Sequence, residues 1–272
     1  MKRNLFDIRD RIVVITGGTG VLGREIGKYL ALEGAKVVLL GRRKEVGDAL
    51  ITDILSLGGE AVFYSCDVMD MASVESVCEK IIARYGRVDA LLNAAGGNMP
   101  GATITPTGTL FDVQVEEFQK VLNVNLTGTV IPTQVFLKPM VKAGKGAIVN
   151  FSSMAAFRPL TRVMGYAAAK AGISNFTAFL ANEVAAKFTP GIRVNAIAPG
   201  FFLTAQNKSL LIDENGNYTE RSQKIINNTP MGRFGEADEL TGTLLWLLSD
   251  GASFVDGIVV PVDGGFSAYS GV

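Results

Sequence analysis

The sequence predicts an α/β fold: a doubly wound parallel sheet of about seven strands flanked by helices, in a single domain spanning 1–272. Two observations carry this expectation. Short apolar runs alternate along the whole chain with longer amphipathic ones, the order expected of βαβ units joined by right-handed crossovers. Several of the short runs also lack polar alternation, as strands covered by helices on both faces do. No internal repeat, low-complexity tract or linker breaks the alternation.

The first apolar run, 12–16, leads through a glycine-rich turn into a helix predicted over 22–33. The second and third, 36–40 and 61–65, precede helices over 45–57 and 71–85. The fourth, 88–93, ends in Asn93-Ala94-Ala95-Gly96 and is followed by one long helix over 115–141. The fifth, 147–151, leads to Ser153 and a helix over 166–188; the sixth, 192–196, leads to Pro199-Gly200. The seventh, 257–262, follows a helix over 236–249. The stretch 203–229, which holds KSLLIDENGNYTERSQ, reads as polar and irregular. A long loop in a compact domain is usually functional, so a mobile substrate lid is expected here, with a plain surface insertion as the alternative.

Composition narrows the chemistry. The chain has no histidine, which excludes Ser-His-Asp and Cys-His nucleophile systems and His-ligated metal sites. Tyr, Lys, Asp and Glu remain as proton handlers, and no metal site is expected. Lys+Arg and Asp+Glu number 26 each, so no basic field favours nucleic acid or an anionic membrane. With 48% hydrophobic residues and 31 glycines, the composition suits a large core with many tight turns. Cys66 and Cys78 form no CxxC and read as thiols of a reduced, cytoplasmic protein. The opening MKRNLFDIRD is charged and lacks the apolar core of a signal peptide, and no apolar run reaches the ~18 residues of a membrane span.

Thr16-Gly17-Gly18-Thr19-Gly20-Val21-Leu22-Gly23 joins the first strand to its helix. Glycines there let backbone approach a pyrophosphate, and the helix N-terminus supplies free N–H groups, so Gly17, Thr19, Gly20, Leu22 and Gly23 are expected to hold a dinucleotide. A glycine-rich turn without a ligand is the plainer alternative. At the end of the second strand an NAD-selective fold of Rossmann type would carry an acidic residue; Leu40-Gly41-Arg42-Arg43 carries guanidinium groups instead. Arg42 and Arg43 therefore predict NADP(H), with NAD(H) as the alternative and solvent-facing arginines as the bland reading. Asp67 and Val68 after the third strand are expected beside the adenine, and Asn93, Ala95 and Gly96 after the fourth to leave room for a flat ring. Together these strand ends would form a crevice on the carboxyl edge of the sheet.

In the stretch NFSSMAAFRPLTRVMGYAAAK, Tyr166 and Lys170 are an i,i+4 pair if the tail is helical. A fixed ammonium beside the phenol is expected to pull its pKa toward neutrality, and Ser153, thirteen residues upstream, to hydrogen-bond a substrate oxygen. A solvated helix face is the alternative for YxxxK alone. Arg158 and Arg162, beside Pro159 in the intervening loop, suit a carboxylate substrate because a guanidinium can hold both oxygens at once.

Over nearly its full length the chain resembles the short-chain dehydrogenase/reductase family, through the glycine turn, NAAG, Asn125 in Asn123-Val124-Asn125-Leu126, Ser153, Tyr166-xxx-Lys170, Pro199-Gly200 and Thr204. The resemblance implies Tyr166 as general acid/base, Ser153 orienting the carbonyl and Lys170 on the nicotinamide ribose. It further implies that Asn125 supports a proton-relay water and that Pro199, Gly200, Phe202 and Thr204 lie on the nicotinamide side. Val21 and Ala94 stand where the family commonly has Gly and Asn. SSMAAFRPLTR, PGFFLTAQN, TPMGRFGE, GTLLWLLSD and VDGGFSAYSGV are similar to the D-mannonate oxidoreductase (fructuronate reductase) branch. That branch implies interconversion of D-fructuronate and D-mannonate, a keto/hydroxy sugar acid; branches acting on 3-oxoacyl thioesters or gluconate-type sugars share most of these motifs. A nucleotide sensor on the same fold would be expected to lack Ser153, Tyr166 or Lys170. The family also implies a homotetramer built on the helices over 115–141 and 166–188 and on the C-terminal DGG segment, with Ile173, Phe176, Phe179, Leu180 and Val184 as apolar surface.

Overall fold

A computed structural model describes residues 4–204 and 208–271. Seven parallel strands, β1 (Ile12–Thr16), β2 (Lys36–Gly41), β3 (Glu60–Ser65), β4 (Ala90–Asn93), β5 (Gly146–Phe151), β6 (Ile192–Pro199) and β7 (Val259–Val262), form one sheet in the order β3-β2-β1-β4-β5-β6-β7. The order reverses between β1 and β4, where Thr16 lies in register with Asn93. That switch point opens a crevice at the carboxyl ends of the strands, because the crossovers on either side leave in opposite directions.

Side chains alternate between the two faces, and each face is a core. Val13, Ile15, Val37, Leu39, Leu92 and Val149 share one apolar cluster with α1 (Val21–Leu32), α2 (Lys44–Ser56) and α9 (Thr241–Leu248). Ile12, Val14, Val38, Leu40, Leu91 and Ile148 share the other with α3 (Met71–Tyr85), α5 (Gly128–Ala143) and α6 (Met164–Lys187). Each fully buried aliphatic side chain contributes about 1.5–3 kcal/mol, so this double burial holds the strand ends in place. It also explains the missing polar alternation in the sequence.

Three expectations are revised by the structure. The helix expected over 115–141 is interrupted: α4 (Val115–Leu122) passes through a π-helical turn, Asn123–Thr127, into α5. Within this turn the Asn125 Nδ2 donates to the Val121 carbonyl at 2.8 Å. The stretch 203–229, expected to be irregular, carries two short helices among its described residues, α7 (Lys208–Leu211) and α8 (Glu220–Asn227). Leu211 and Ile225 form a small core there with Phe234, packed on by Phe201, Leu203, Ile212 and Ile226; Ala205, Gln206 and Asn207 lie outside the described residues. Finally, most of the apolar residues expected at a subunit interface are buried within this chain: Ile173, Leu180 and Val184 are buried, and Phe176 packs against the core cluster that holds Leu180 and Val184. Phe179 remains 61% exposed.

Candidate active site

A cleft of about 350 Å³ opens at the carboxyl ends of β1, β4, β5 and β6. Its first wall is the turn into α1. Gly17 has φ of +67°, and a Cβ there would lie 2.8 Å from the Ala94 carbonyl oxygen; at Gly23 a Cβ would lie 2.4 Å from the Gly17 oxygen. Only glycine permits both approaches. Gly20 is the N-cap of α1, and it offers no side chain to the first-turn N–H groups, nor does an acidic residue stand in that turn. Those N–H groups and the positive end of the helix are thus open to an anion. Gly17, Gly20, Leu22 and Gly23 line the cleft, and so does Val21, which motif reading marks only as a departure.

The remaining cofactor candidates divide. Gly96, Pro199, Gly200, Phe202 and Thr204 line the cleft, joined by Ala94, Gly97 and Phe201. Thr19, Arg42, Arg43, Asp67, Val68, Asn93 and Ala95 lie outside its lining. Arg43 Nη2 donates to the Thr19 carbonyl at 2.8 Å, tying the end of β2 to the glycine turn, while Arg42 is exposed beside it. The Asp67 carboxylate accepts from the Met69 N–H at 2.9 Å and remains exposed, and Val68 is buried. Ala95 N–H donates to Thr16 Oγ1 at 3.1 Å, which fixes the loop after β4 against β1. The Asn93 side chain turns into the protein instead: its Nδ2 donates to Thr133 Oγ1 at 2.8 Å and Asn150 Oδ1 at 2.9 Å. Any contact it makes with a cofactor is therefore through its backbone.

Asn125, fully buried in the π turn, braces the same loop by accepting from Gly97 N–H at 3.2 Å and donating to Gly97 O at 2.7 Å. Its own carbonyl accepts from Thr129 Oγ1 at 2.8 Å.

Ser153 lies two residues past the end of β5, in extended backbone, and caps a short 3-10 turn by accepting from Ala155 N–H at 3.2 Å. Tyr166 and Lys170 lie one helical turn apart on α6, with Lys170 Nζ 5.4 Å from the Tyr166 ring centroid. All three line the cleft with Asn125. Their electrostatics differ from expectation. Burial raises the Tyr166 pKa, opposed by a hydrogen bond with Ser153 that lowers it. Burial also brings Lys170 from 10.5 down to about 7, and its Nζ donates to the Phe151 carbonyl at 2.6 Å. The ammonium is therefore not a fixed charge near neutrality, and desolvation of both groups outweighs the attraction between them. A protonated Tyr166 beside the Ser153 hydroxyl is arranged to donate to an oxygen that gains electron density.

Neither loop arginine lines the cleft. Arg158 is exposed and donates through Nε and Nη2 to the Ser267 carbonyl, at 3.2 and 2.7 Å. Arg162 is half-buried and donates through Nε to the Ile104 carbonyl at 2.8 Å.

The uncapped first turn of α1, the glycine-only approaches and the flat backbone after β4 fit a nicotinamide dinucleotide. Comparisons with known proteins agree. The family model for short chain dehydrogenase matches residues 11–215. The uncharacterized oxidoreductase UxuB of Bacillus subtilis is 48% identical over 98% of both chains. A Haemophilus influenza structure with bound NAD, described as a D-mannonate oxidoreductase by assignment only, is 43% identical and superposes with a TM-score of 0.91, over 99% of this chain and 100% of that one. A gluconate 5-dehydrogenase, similarly assigned, from Beutenbergia cavernae holds NADP at low occupancy; it is 33% identical with a TM-score of 0.84, over 98% and 100% of the two chains.

Proposed function

Because the chain belongs to the short-chain dehydrogenase/reductase family, and so is an NAD(P)-dependent oxidoreductase acting on CH–OH groups, we propose that it interconverts D-fructuronate and D-mannonate with NADP(H). The observation that carries the reaction type is the convergence of Ser153, Tyr166 and Lys170 with the open N-terminus of α1 on one cleft. When bound, the nicotinamide supplies or takes the hydride. Val21 and Leu22 would hold the pyrophosphate through backbone N–H groups, with Gly20 leaving room for it, and Phe202 and Thr204 the carboxamide. Lys170 would leave the Phe151 carbonyl for the nicotinamide ribose. Ser153 orients the substrate oxygen, and Tyr166, kept protonated by burial, gives it the proton during reduction; oxidation of the alcohol runs the same transfer backward.

Substrate class rests on the loop between Ser153 and Tyr166. Arg162 lies outside the cleft lining but only four residues before Tyr166, and its anchoring through Nε leaves its terminal guanidinium nitrogens for a carboxylate. Arg158 is the weaker partner, since the Ser267 carbonyl already engages it. Gluconate-type sugar acids share the carboxylate and form the second reading, in keeping with the gluconate 5-dehydrogenase likeness. Preference for NADP(H) is supported by Gly41-Arg42-Arg43, where β2 ends without a carboxylate to repel a 2′-phosphate. A homotetramer is supported by Phe179 on α6 and by the fully exposed Phe254 ahead of β7. Among the described residues no helix is long and apolar enough to cross a membrane, and we place the reaction in the cytoplasm.

One kinetic grid tests the reading: NADPH and NADH, each with D-fructuronate and with D-fructose, which lacks the carboxylate. The expected result is a kcat/KM for fructuronate at least about tenfold above that for fructose, from the roughly 1.5–3 kcal/mol of a hydrogen bond to a charged group, and NADPH ahead of NADH. Equal efficiency on the two sugars removes the sugar-acid reading; NADH serving as well as NADPH removes the cofactor reading.

A further inference from the structure

Two successive residues at the end of β5 hold Lys170 at two different atoms. The Phe151 carbonyl accepts from Lys170 Nζ at 2.6 Å. Ser152 reaches the Lys170 main chain instead: its Oγ lies 3.2 Å from the Lys170 carbonyl oxygen and 2.7 Å from Ser174 Oγ, which is itself 3.2 Å from that same carbonyl. Motif reading leaves Ser152 without a role, although it is buried and lines the cleft.

The Ser174 bond is an ordinary one. A hydroxyl within a helix commonly bonds back to the carbonyl four residues earlier, as those of Thr129, Thr133 and Thr177 do here at 2.8, 2.7 and 2.8 Å. The Ser152 bond is not local. It comes from the sheet, 18 residues away in sequence, and the Ser152 backbone is itself fixed because its N–H donates to the Ile197 carbonyl of β6 at 2.8 Å. Each hydroxyl carries one proton, so one of the two donates to the other and the second donates to the Lys170 carbonyl; in either direction the pair forms a continuous chain from β5 to α6. Without Ser174, Ser152 can still donate to the carbonyl directly. Without Ser152, only a bond inside α6 remains, so the tie between sheet and helix resides in Ser152.

α6 needs such a tie at this end. Tyr166 is its third residue and Lys170 its seventh, yet the N-cap Val163 makes no side-chain capping bond and no acidic residue stands in the first turn. A helix start that lacks both devices is held by contacts from outside or it frays. Lys170 adds a second demand, because Nζ would leave the Phe151 carbonyl for the nicotinamide ribose. That side-chain tie to β5 is then lost, whereas a bond to the main-chain carbonyl does not depend on where Nζ points.

We propose that Ser152 is a positioning residue: through its hydroxyl pair with Ser174 it holds the Lys170 main chain against β5 while Nζ exchanges the Phe151 carbonyl for the cofactor ribose. Tyr166 and Lys170 thereby keep their places on the cleft during hydride and proton transfer. The assignment rests on the reading of Lys170 as the ribose ligand, and Ser152 acts through Lys170.

NADPH and NADH carry the same nicotinamide ribose, so fluorescence titration with either cofactor reads this contact without turnover. In a double-mutant cycle, Lys170→Met should weaken cofactor binding about tenfold and Ser152→Ala about threefold, while Ser152→Ala added to Lys170→Met should weaken it by less than about 1.5-fold more. With D-fructuronate as substrate, Ser152→Ala should lower kcat about tenfold and leave KM for the keto acid within about twofold of wild type. Ser174→Ala should lose less than Ser152→Ala in both measurements. If Lys170→Met weakens binding but the Ser152→Ala effect persists in full beside it, or Ser152→Ala matches wild type, or Ser174→Ala loses as much as Ser152→Ala, the assignment of Ser152 is overturned and the ribose reading stands. Wild-type affinity in Lys170→Met overturns the ribose reading and the assignment with it.

Discussion

Lys170 Nζ donates to the Phe151 carbonyl inside a buried face of α6, and burial takes its pKa from 10.5 to about 7. Between those values the unfolded chain holds a proton that the folded chain has released. Stability should therefore rise with pH across that window, by at most about 1.4 kcal/mol per pH unit, with the full penalty present below pH 7. Lys170→Met removes the titrating group, so the variant's stability should climb less than wild type's between pH 7.5 and 9.5 in chemical denaturation; parallel slopes for the two proteins would contradict the burial argument. The Tyr166/Lys170 pair was legible in the sequence because one helical turn separates them. The direction of the Tyr166 shift was not, because it depends on how deeply both groups are buried, which spacing alone does not report. Asn93 shows the same gap: its place after β4 was readable, but its side chain points to Thr133 and Asn150, a choice made by neighbouring elements.

At the scale of the element, the turn from β1 into α1 was readable residue by residue, since a tight glycine turn before a helix has few structural solutions. Gly23 is its most constrained position, with the Gly17 oxygen 2.4 Å from where a Cβ would stand. Gly23→Ala should displace backbone in the phosphate turn, lowering stability by roughly 1–3 kcal/mol, the usual cost of overpacking, and weakening NADPH binding at least about tenfold in a fluorescence titration. Unchanged affinity would mean that the turn does not hold the pyrophosphate. The π turn between α4 and α5 was hidden, because the apolar periodicity runs on across it. The stretch 203–229 was hidden for another reason. Its helices span only 4 and 8 residues in α7 and α8, too short for a clear period, and their stability comes from a core shared with Phe201 and Phe234.

At the scale of the whole molecule, the doubly wound parallel sheet was implied by alternating strands and helices, whereas its strand order and partner surfaces were not. Apolar residues at helical spacing on α6 serve this chain's own core, and a burial pattern cannot say in advance which subunit a side chain is buried in. Phe179 and Phe254 are among the large apolar residues left exposed, and under the proposed tetramer light scattering at micromolar concentration should give four times the 28.9 kDa chain mass; a monomeric mass would contradict the tetramer. The central claim is that this sheet edge brings Tyr166 to a substrate carbonyl as its proton donor. It is tested most directly by following NADPH absorbance with D-fructuronate in wild type and Tyr166→Phe. The account predicts turnover by wild type and a kcat lower by about 10²- to 10⁴-fold in the variant, with NADPH still bound. Near-normal turnover by Tyr166→Phe would contradict it.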